Sequence, residues 1–487
     1  MKGRQSGAVC AALALTAFAL VALCSMSSPL YPVNIWGDAN CLLTVGRAMK
    51  GGAVLYRDIY EQKGPTLYLA HLLAAWASDR SFLGVFLLEG ACMAAFFAAA
   101  FRLLRRRLRL LAPAAAAVCG ALILIGTAFV RGDSAEEFCL PFSMAALCLL
   151  DGEALRGGMP MGRRPLVLLG LLAGIVATVK FTLLGVFLGL CLAQGIFALR
   201  AGGVRRALAS AGWFLSGFLA PVAVWAAYFA ARGALREAFE AYIYNNIFLY
   251  AGEGRPDAAE WIGMLRGNLW WMLSALAGTA AFALDRREPA ESRLAVAASF
   301  VLQLLAVVLP GRVWQYSLLA LAPYTVFGLL LPGRLLEHGL QRDRLPRRAG
   351  ALSAACGIGV SMALCAAFSP NAFLRGVPLS DTAQGRLAAQ VEPGSSLLQY
   401  KFLDDGLYLT TGTLPSERFF VLLNVDLPEM KQELDRYVAE GEPDYVLTVY
   451  DELPERFDRY RLVATDVGYL DNNKPNKAFY LYRRLER

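Results

Sequence analysis

The chain has 487 residues, 57% of them hydrophobic and 18% charged, with a formal net charge of +8 and a mean hydropathy of +0.46. That balance excludes an ordinary soluble domain, which carries more charge and less apolar content. The positive charge does not point to nucleic acid: the last part, from Ser369, carries a net −5, and the remainder a net +13 in loops that flank apolar runs.

The first run, "GAVCAALALTAFALVALCSM", follows Lys2 and Arg4 and reads as a retained first helix rather than a cleaved signal. Further span-like runs fall at about 82–103, 111–130, 137–150, 166–180, 183–199, 207–230, 268–284, 294–309, 316–332 and 350–368. With the opening run at about 8–27, this predicts a polytopic α-helical membrane protein of about eleven transmembrane helices. "PTLYLAHLLAAWAS" (65–78) is apolar but short for a crossing. Laid along the interface as a juxtamembrane helix, it lets every basic loop fall on the cytoplasmic side, among them "RLLRRRLR" and "RAGGVRR". The N-terminus is then inside and the C-terminus outside.

That topology gathers the other polar segments at the external face. Between the first two spans, "GDANCLLTVGRAMKGG" reads as an amphipathic helix with Asp38 at its start, either as an N-cap or as a carboxylate able to act as general base. "LYRDIYEQKGP" follows. There Arg57 and Lys63 can hold a phosphate, and Asp58 and Glu61 a sugar hydroxyl or a metal; a solvated loop with Asp58 paired to a neighbour is the plain alternative. Pro65 suits the first turn of the next helix. "RGDSAEEF" places Arg131, Asp133, Glu136 and Glu137 where a span leaves the membrane. Lys180 interrupts "GLLAGIVATVKFTLLGVFLGL" and must snorkel or find an anion.

The ten cysteines show no disulfide or zinc spacing and read as small core hydrophobes. With only His71 and His338 present, a histidine-based metal site or a Ser-His-Asp triad is disfavoured. From about Ser369 the tail reads as a small α/β domain. "SSLLQYKF", "PDYVLTVY" and "KAFYLYRRL" are strands, and "LPEMKQELDRYVAEG" is a helix stopped by Gly441. No phosphate loop or nucleophile motif occurs in it, so it suits covering a site or docking a partner. The predicted division is 1–368 and 369–487.

Four strings together resemble the GT-C superfamily of polyprenyl-phosphate-sugar-dependent glycosyltransferases, and within it the bacterial Rgt-like transferases. Protein O-mannosyltransferases and lipid A aminoarabinose transferase are more distant relatives. The strings are the lone Asp38 after span one, "GAVLYRDIYEQKGPTLY" (52–68), "GLLAGIVATVKFT" and "GRVWQYSLLALAPY"; the tail string "YLTTGTLPSERFF" is similar to tails of the same branch. Three positions depart from the common pattern: Ala39 where many relatives have Glu, Gln315 where many have His, and Gly64 where many have Pro.

The resemblance implies a GT-C-like membrane domain that moves a sugar from a polyprenyl-phosphate donor to an envelope glycan, lipid or protein. It implies Asp38 as general base of an inverting single displacement. Lys63 and Lys180, with Arg57, Arg131 or Arg312, would face the phosphate, and Asp133 and Glu136 would orient donor or acceptor. A divalent metal is left open. The competing class is a membrane transporter or lipid flippase, but no internal repeat is visible and the charges cluster outside the spans rather than mid-span.

Overall fold

The structure, a computed structural model, describes residues 3–249, 256–309, 313–340, 349–469 and 475–485. The expectation for Arg312 falls outside the described residues.

Helices α1 (Gly3–Cys24), α2 (Gly37–Lys50), α3 (Pro65–Ala77), α4 (Leu83–Leu104), α5 (Ala112–Leu124), α6 (Ala135–Leu155) and α7 (Arg163–Ala177) lead into the long α8 (Gly185–Ala231). Non-helical backbone at Gly202 and Gly203 splits α8 into two successive apolar helices. After the short α9 (Leu235–Phe239) the chain continues as a π-helix over Glu240–Leu249. Then come α10 (Ala258–Gly267), α11 (Leu269–Leu284), α12 (Ala290–Val308), a 3-10 stretch over Gln315–Tyr324, α13 (Thr325–Gly328), α14 (Leu330–Leu340) and α15 (Ala349–Phe368). Each apolar run read from the sequence falls in helical structure, the run at 316–332 being spread over the 3-10 stretch, α13 and α14. Among the described residues, seven helical stretches are long and apolar enough to cross a membrane, the kinked α8 being one of them. The chain is a multi-pass membrane protein. Helices are expected here because a backbone in lipid must satisfy its own hydrogen bonds.

Small residues set the closest packing. A Cβ on Gly170 or Gly174 of α7 would come within 2.0 and 2.3 Å of the carbonyl oxygens of Phe214 and Phe218. One on Gly217 would meet the Val167 carbonyl oxygen at 2.0 Å. Helix α7 and the second half of α8 therefore touch backbone to backbone, as small-residue stripes allow in membranes.

The two ends of the bundle differ in chemistry. At one end Arg107 binds both Asp151 and Glu288 at 2.6 Å, and Arg334 reaches Asp285 at 2.6 Å. Glu337 accepts from the backbone N–H groups of Arg109, Leu110 and Leu111. These are the ends and loops that carry the arginine-rich strings. The opposite end collects α2, α3, the 130–134 loop, Lys180 and the tail. Helix α3 is 13 residues long, about 20 Å at 1.5 Å per residue, well under the roughly 30 Å of a bilayer core. It packs on α2 and α4 through His71, Ala74 and Ala75, while Leu69, Leu73 and Trp76 point outward. Its outward face is apolar, as contact with lipid requires.

The tail contains α16 (Ala383–Ala388), β1 (Leu397–Gln399), α17 (Leu407–Thr411), α18 (Pro428–Glu440), β2 (Tyr445–Val449), β3 (Tyr460–Tyr469) and β4 (Pro475–Arg484). They form one four-stranded sheet of order β1-β2-β4-β3, with β1 and β2 parallel and the other pairs antiparallel. Leu397 pairs with Tyr445, and Val446 with Tyr482. Helix α18 buries Met430, Leu434, Tyr437 and Val438 and ends at Gly441, whose φ of +72 suits a left-handed cap. Strand β3 was not among the expected elements. It is an edge strand whose Leu462, Val463 and Val467 stay exposed, so its apolar residues do not alternate with burial as a half-buried strand's do.

Candidate active site

Asp38 stands in the first turn of α2, but the helix is capped by Trp36 without any side-chain cap bond. The carboxylate is thus not occupied with capping. It lies 3.4 Å from Lys63 Nζ, and both side chains are 15% exposed. Lys63 Nζ also donates to Glu61 Oε1 at 2.9 Å, and its backbone N–H to Glu61 Oε2 at 2.9 Å, so the fully buried Glu61 shapes the turn that presents the lysine. Burial works against the Lys63 charge, but the Asp38 and Glu61 carboxylates outweigh it and raise its pKa well above the usual lysine range. Lys63 is a fixed cation.

Two of the sequence strings dock on each other here. Gly64 N–H donates to the Val179 carbonyl and Thr66 N–H to the Thr178 carbonyl, both at 3.0 Å. The two threonine hydroxyls meet at 2.7 Å. A Cβ on Gly64 would stand 2.1 Å from the Thr178 carbonyl oxygen, so only glycine permits this approach. The turn that carries Lys63 is therefore stitched to the turn that carries Lys180.

Lys180 donates to Glu136 Oε1 at 2.7 Å and lies 5.2 Å from the ring centroid of Tyr316. Tyr316 in turn packs on Trp36, at 5.4 Å between centroids, and stacks on Trp314. An aromatic bridge thus joins the start of α2, next to Asp38, to Lys180.

Beneath these groups is a buried polar floor. His71 Nε2 is 2.8 Å from Asp133 Oδ1, and its Nδ1 lies 2.8 Å from the Leu67 carbonyl oxygen. A carbonyl only accepts, so Nδ1 carries a proton, and Nε2 and Asp133 share another. Burial opposes the charge on His71, yet Asp133 overrides it and raises the imidazole pKa. Asp133 N–H donates to both Glu89 Oε1 (2.8 Å) and Glu137 Oε2 (3.0 Å). The Glu89 and Glu137 carboxyl groups thus converge on one backbone N–H. Ser25 Oγ donates to Glu89 at 2.9 Å. Val130 and Asp133 both have positive φ, strain of the kind that local bonding must hold in place.

The structure thus brings together Asp38, Glu61, Lys63, Asp133, Glu136 and Lys180 of the residues singled out by sequence. Others go elsewhere. Arg57 and Asp58 pair with each other at 2.7 Å on an exposed edge, and Arg57 also donates to the Arg232 carbonyl at 2.8 Å. Arg131 is buried, donating to Asn371 Oδ1 at 2.7 Å and lying over Phe373, at the root of the tail. Glu89, Trp36 and Tyr316 were not among the sequence candidates. An ionisable residue inside an apolar run, as Glu89 is, was the signal that could have found the first. Among the described residues no three His, Cys, Asp or Glu side chains are grouped to hold a metal ion.

No family model matches the chain, and no curated protein does. Solved structures do. ArnT from Cupriavidus metallidurans bound to undecaprenyl phosphate superposes with a TM-score of 0.60 at 13% identity, over 99% of this chain and 98% of that one. ArnT from the same organism in the apo state gives 0.57 at 12% identity, over 96% of each chain. A looser likeness, 0.49 at 16% identity, is to the mycobacterial arabinofuranosyltransferase AftD, of which 42% is covered. What the chain shares with ArnT, over nearly its whole length, is the GT-C membrane fold.

Proposed function

We propose that this chain is a membrane glycosyltransferase that moves a sugar from a polyprenyl-phosphate donor to an envelope glycan, lipid or protein at the external face. We read it as a membrane part, 1–368, and an external tail, 369–487. The observation that carries the proposal is the pairing of a largely buried Asp38, free of any capping role, with the fixed cation Lys63, bridged by Trp36 and Tyr316 to a second lysine. A carboxylate beside one lysine, with a second lysine reached through Trp36 and Tyr316, suits a lipid phosphate beside a sugar hydroxyl. The fold shared with ArnT, a protein solved with undecaprenyl phosphate bound, supports the same donor class.

In the proposed reaction the acceptor hydroxyl oxygen attacks the anomeric carbon while Asp38 takes its proton. The bond from the anomeric carbon to the phosphate oxygen breaks, and the electron pair stays on the phosphate. Lys63 and Lys180 offset that charge, in a site whose cations are already set in place by Glu61 and Glu136. Phosphate is a good leaving group, so one carboxylate suffices, and attack from the far side inverts the anomeric centre. The released lipid phosphate then takes the proton from Asp38. Glu136 orients the sugars from beside Lys180, with Asp133 behind it in the buried floor, and Arg312 is a further phosphate ligand.

The test is transfer by the purified chain in lipid nanodiscs, supplied with lipid-linked sugars extracted from the host membrane. Release of polyprenyl phosphate together with a glycosylated acceptor supports the proposal. Movement of the intact lipid-linked sugar across the bilayer without bond cleavage would replace it with a flippase.

A further inference from the structure

The tail's sequence carries no phosphate-loop or nucleophile motif, yet the tail grips the helix that carries Asp38. Along α2 the gripped positions are 37, 41, 44 and 47, one face of the helix. A Cβ on Gly37 would come within 2.7 Å of Leu403 Cβ, so the first residue of α2 abuts the tail directly. Asp404 N–H points at Cys41 Sγ, 3.4 Å away. Thr44 Oγ1 donates to Asp404 Oδ2 at 2.7 Å. Arg47 donates to the Tyr408 carbonyl at 3.1 Å. A second strap holds the segment leading to Lys63: Tyr60 N–H donates to the Arg418 carbonyl at 2.9 Å, and Arg418 Nε to the Tyr56 carbonyl at 3.2 Å.

Asp404 is fully buried, and its two oxygens have separate jobs. Oδ1 accepts from Gln399 and from Gly406 N–H, both inside the tail. Among the described residues, Oδ2 accepts from Thr44 alone. Folding of the tail needs the first oxygen; only the register of α2 against the tail needs the second.

We propose that the tail loop 403–408 is a positioning element of the active site, with Asp404 as the anchor that sets Asp38 through Thr44 and α2. The inference rests on the reading of Asp38 as the base. Asp404 touches no reacting atom; it fixes the rotation and height of the helix whose first turn aims the carboxylate. The tail straps also set the spacing between that carboxylate and Lys63, since both elements hang from the same tail. Misplacing a reacting group by about 1 Å costs on the order of a hundredfold in rate.

The experiment uses the full chain in nanodiscs, with undecaprenyl phosphate as the binding probe and transfer to the native acceptor as the rate. Thr44→Val, which keeps the volume and loses the hydroxyl, is expected to lower the transfer rate about tenfold or more. Undecaprenyl phosphate affinity should stay within about twofold, and Thr44→Ser should restore the rate to within about twofold of wild type. Transfer by Thr44→Val at the wild-type rate overturns the proposal. So does a loss of rate, probe affinity and thermal stability together that Thr44→Ser fails to rescue, since that marks a merely structural bond. Asp38→Asn, run alongside, separates the two ideas. If it is active, the base reading falls; if it is inactive while Thr44→Val is normal, only the positioning role falls.

Discussion

At the scale of single residues, the site is a set of charges that have been paired before any substrate arrives. Lys63 sits between Asp38 and Glu61, Lys180 against Glu136, and His71 against Asp133. The sequence displayed most of these residues as charges out of place beside apolar runs, and that is why they were legible. Most of their partners were not, because Lys63 and Asp38, Lys180 and Glu136, and His71 and Asp133 stand 25, 44 and 62 positions apart. The same limit hid Glu89, whose carboxyl is understandable only beside Ser25, Asp133 and Glu137. The His71–Asp133 pair has a pH signature. Its raised imidazole pKa means that the stabilisation is fully present below the ordinary histidine value of about 6.5 and is lost as pH rises through the raised value. Thermal unfolding of the solubilised chain from about pH 6 to 9 should therefore show wild-type stability declining with pH. His71→Gln, which keeps a polar group but cannot titrate, should flatten that slope; parallel slopes would remove the pair from the account.

The elements were legible in proportion to how repetitive their signal is. Spans announced themselves as apolar runs, and α3 was separable from them because only a non-crossing α3 leaves every basic loop on one side. Capping was legible only in part: Asp38 looked like an N-cap, yet Trp36 holds that position. Edge strand β3, whose Leu462, Val463 and Val467 stay exposed, gave too little apolar contrast to be found. The docking of the Lys63 turn on the Lys180 turn could not be read at all, although both strings were noticed, since nothing local says that Gly64 meets Thr178. That contact is testable. Gly64→Ala forces a methyl against a carbonyl oxygen and should destabilise by about 1–3 kcal/mol while lowering transfer. Gly195→Ala, whose new methyl would meet no atom within 4 Å, is the control and should leave both unchanged. Equal thermal midpoints for the two variants would show that the close approach is dispensable.

For the molecule as a whole, charge divides the bundle into two unlike ends. Arginines tied to Asp151, Asp285 and Glu288 close one end; the paired lysines, α3 and the acidic tail occupy the other. The bias of basic loops toward the cytoplasm predicts that the tail end faces outward. A reporter that works only outside the cytoplasm, fused after Arg487, should be active. Activity of a cytoplasm-only reporter at that position would invert the bundle and move the site to the other face. The long-range ties between tail and α2, spanning 360 residues at Thr44 and Asp404, lie beyond any pattern in the sequence. Only the whole fold shows that the tail is fastened to the helix that carries Asp38.

The central claim is that Asp38 removes the acceptor proton. Transfer by Asp38→Asn, measured in nanodiscs under single-turnover conditions beside a check that thermal stability and undecaprenyl phosphate binding persist, tests it most directly. Loss of a general base lowers the rate by about 10²–10⁴-fold, and that loss with folding and binding intact is the predicted result. Transfer within a few-fold of wild type would contradict it.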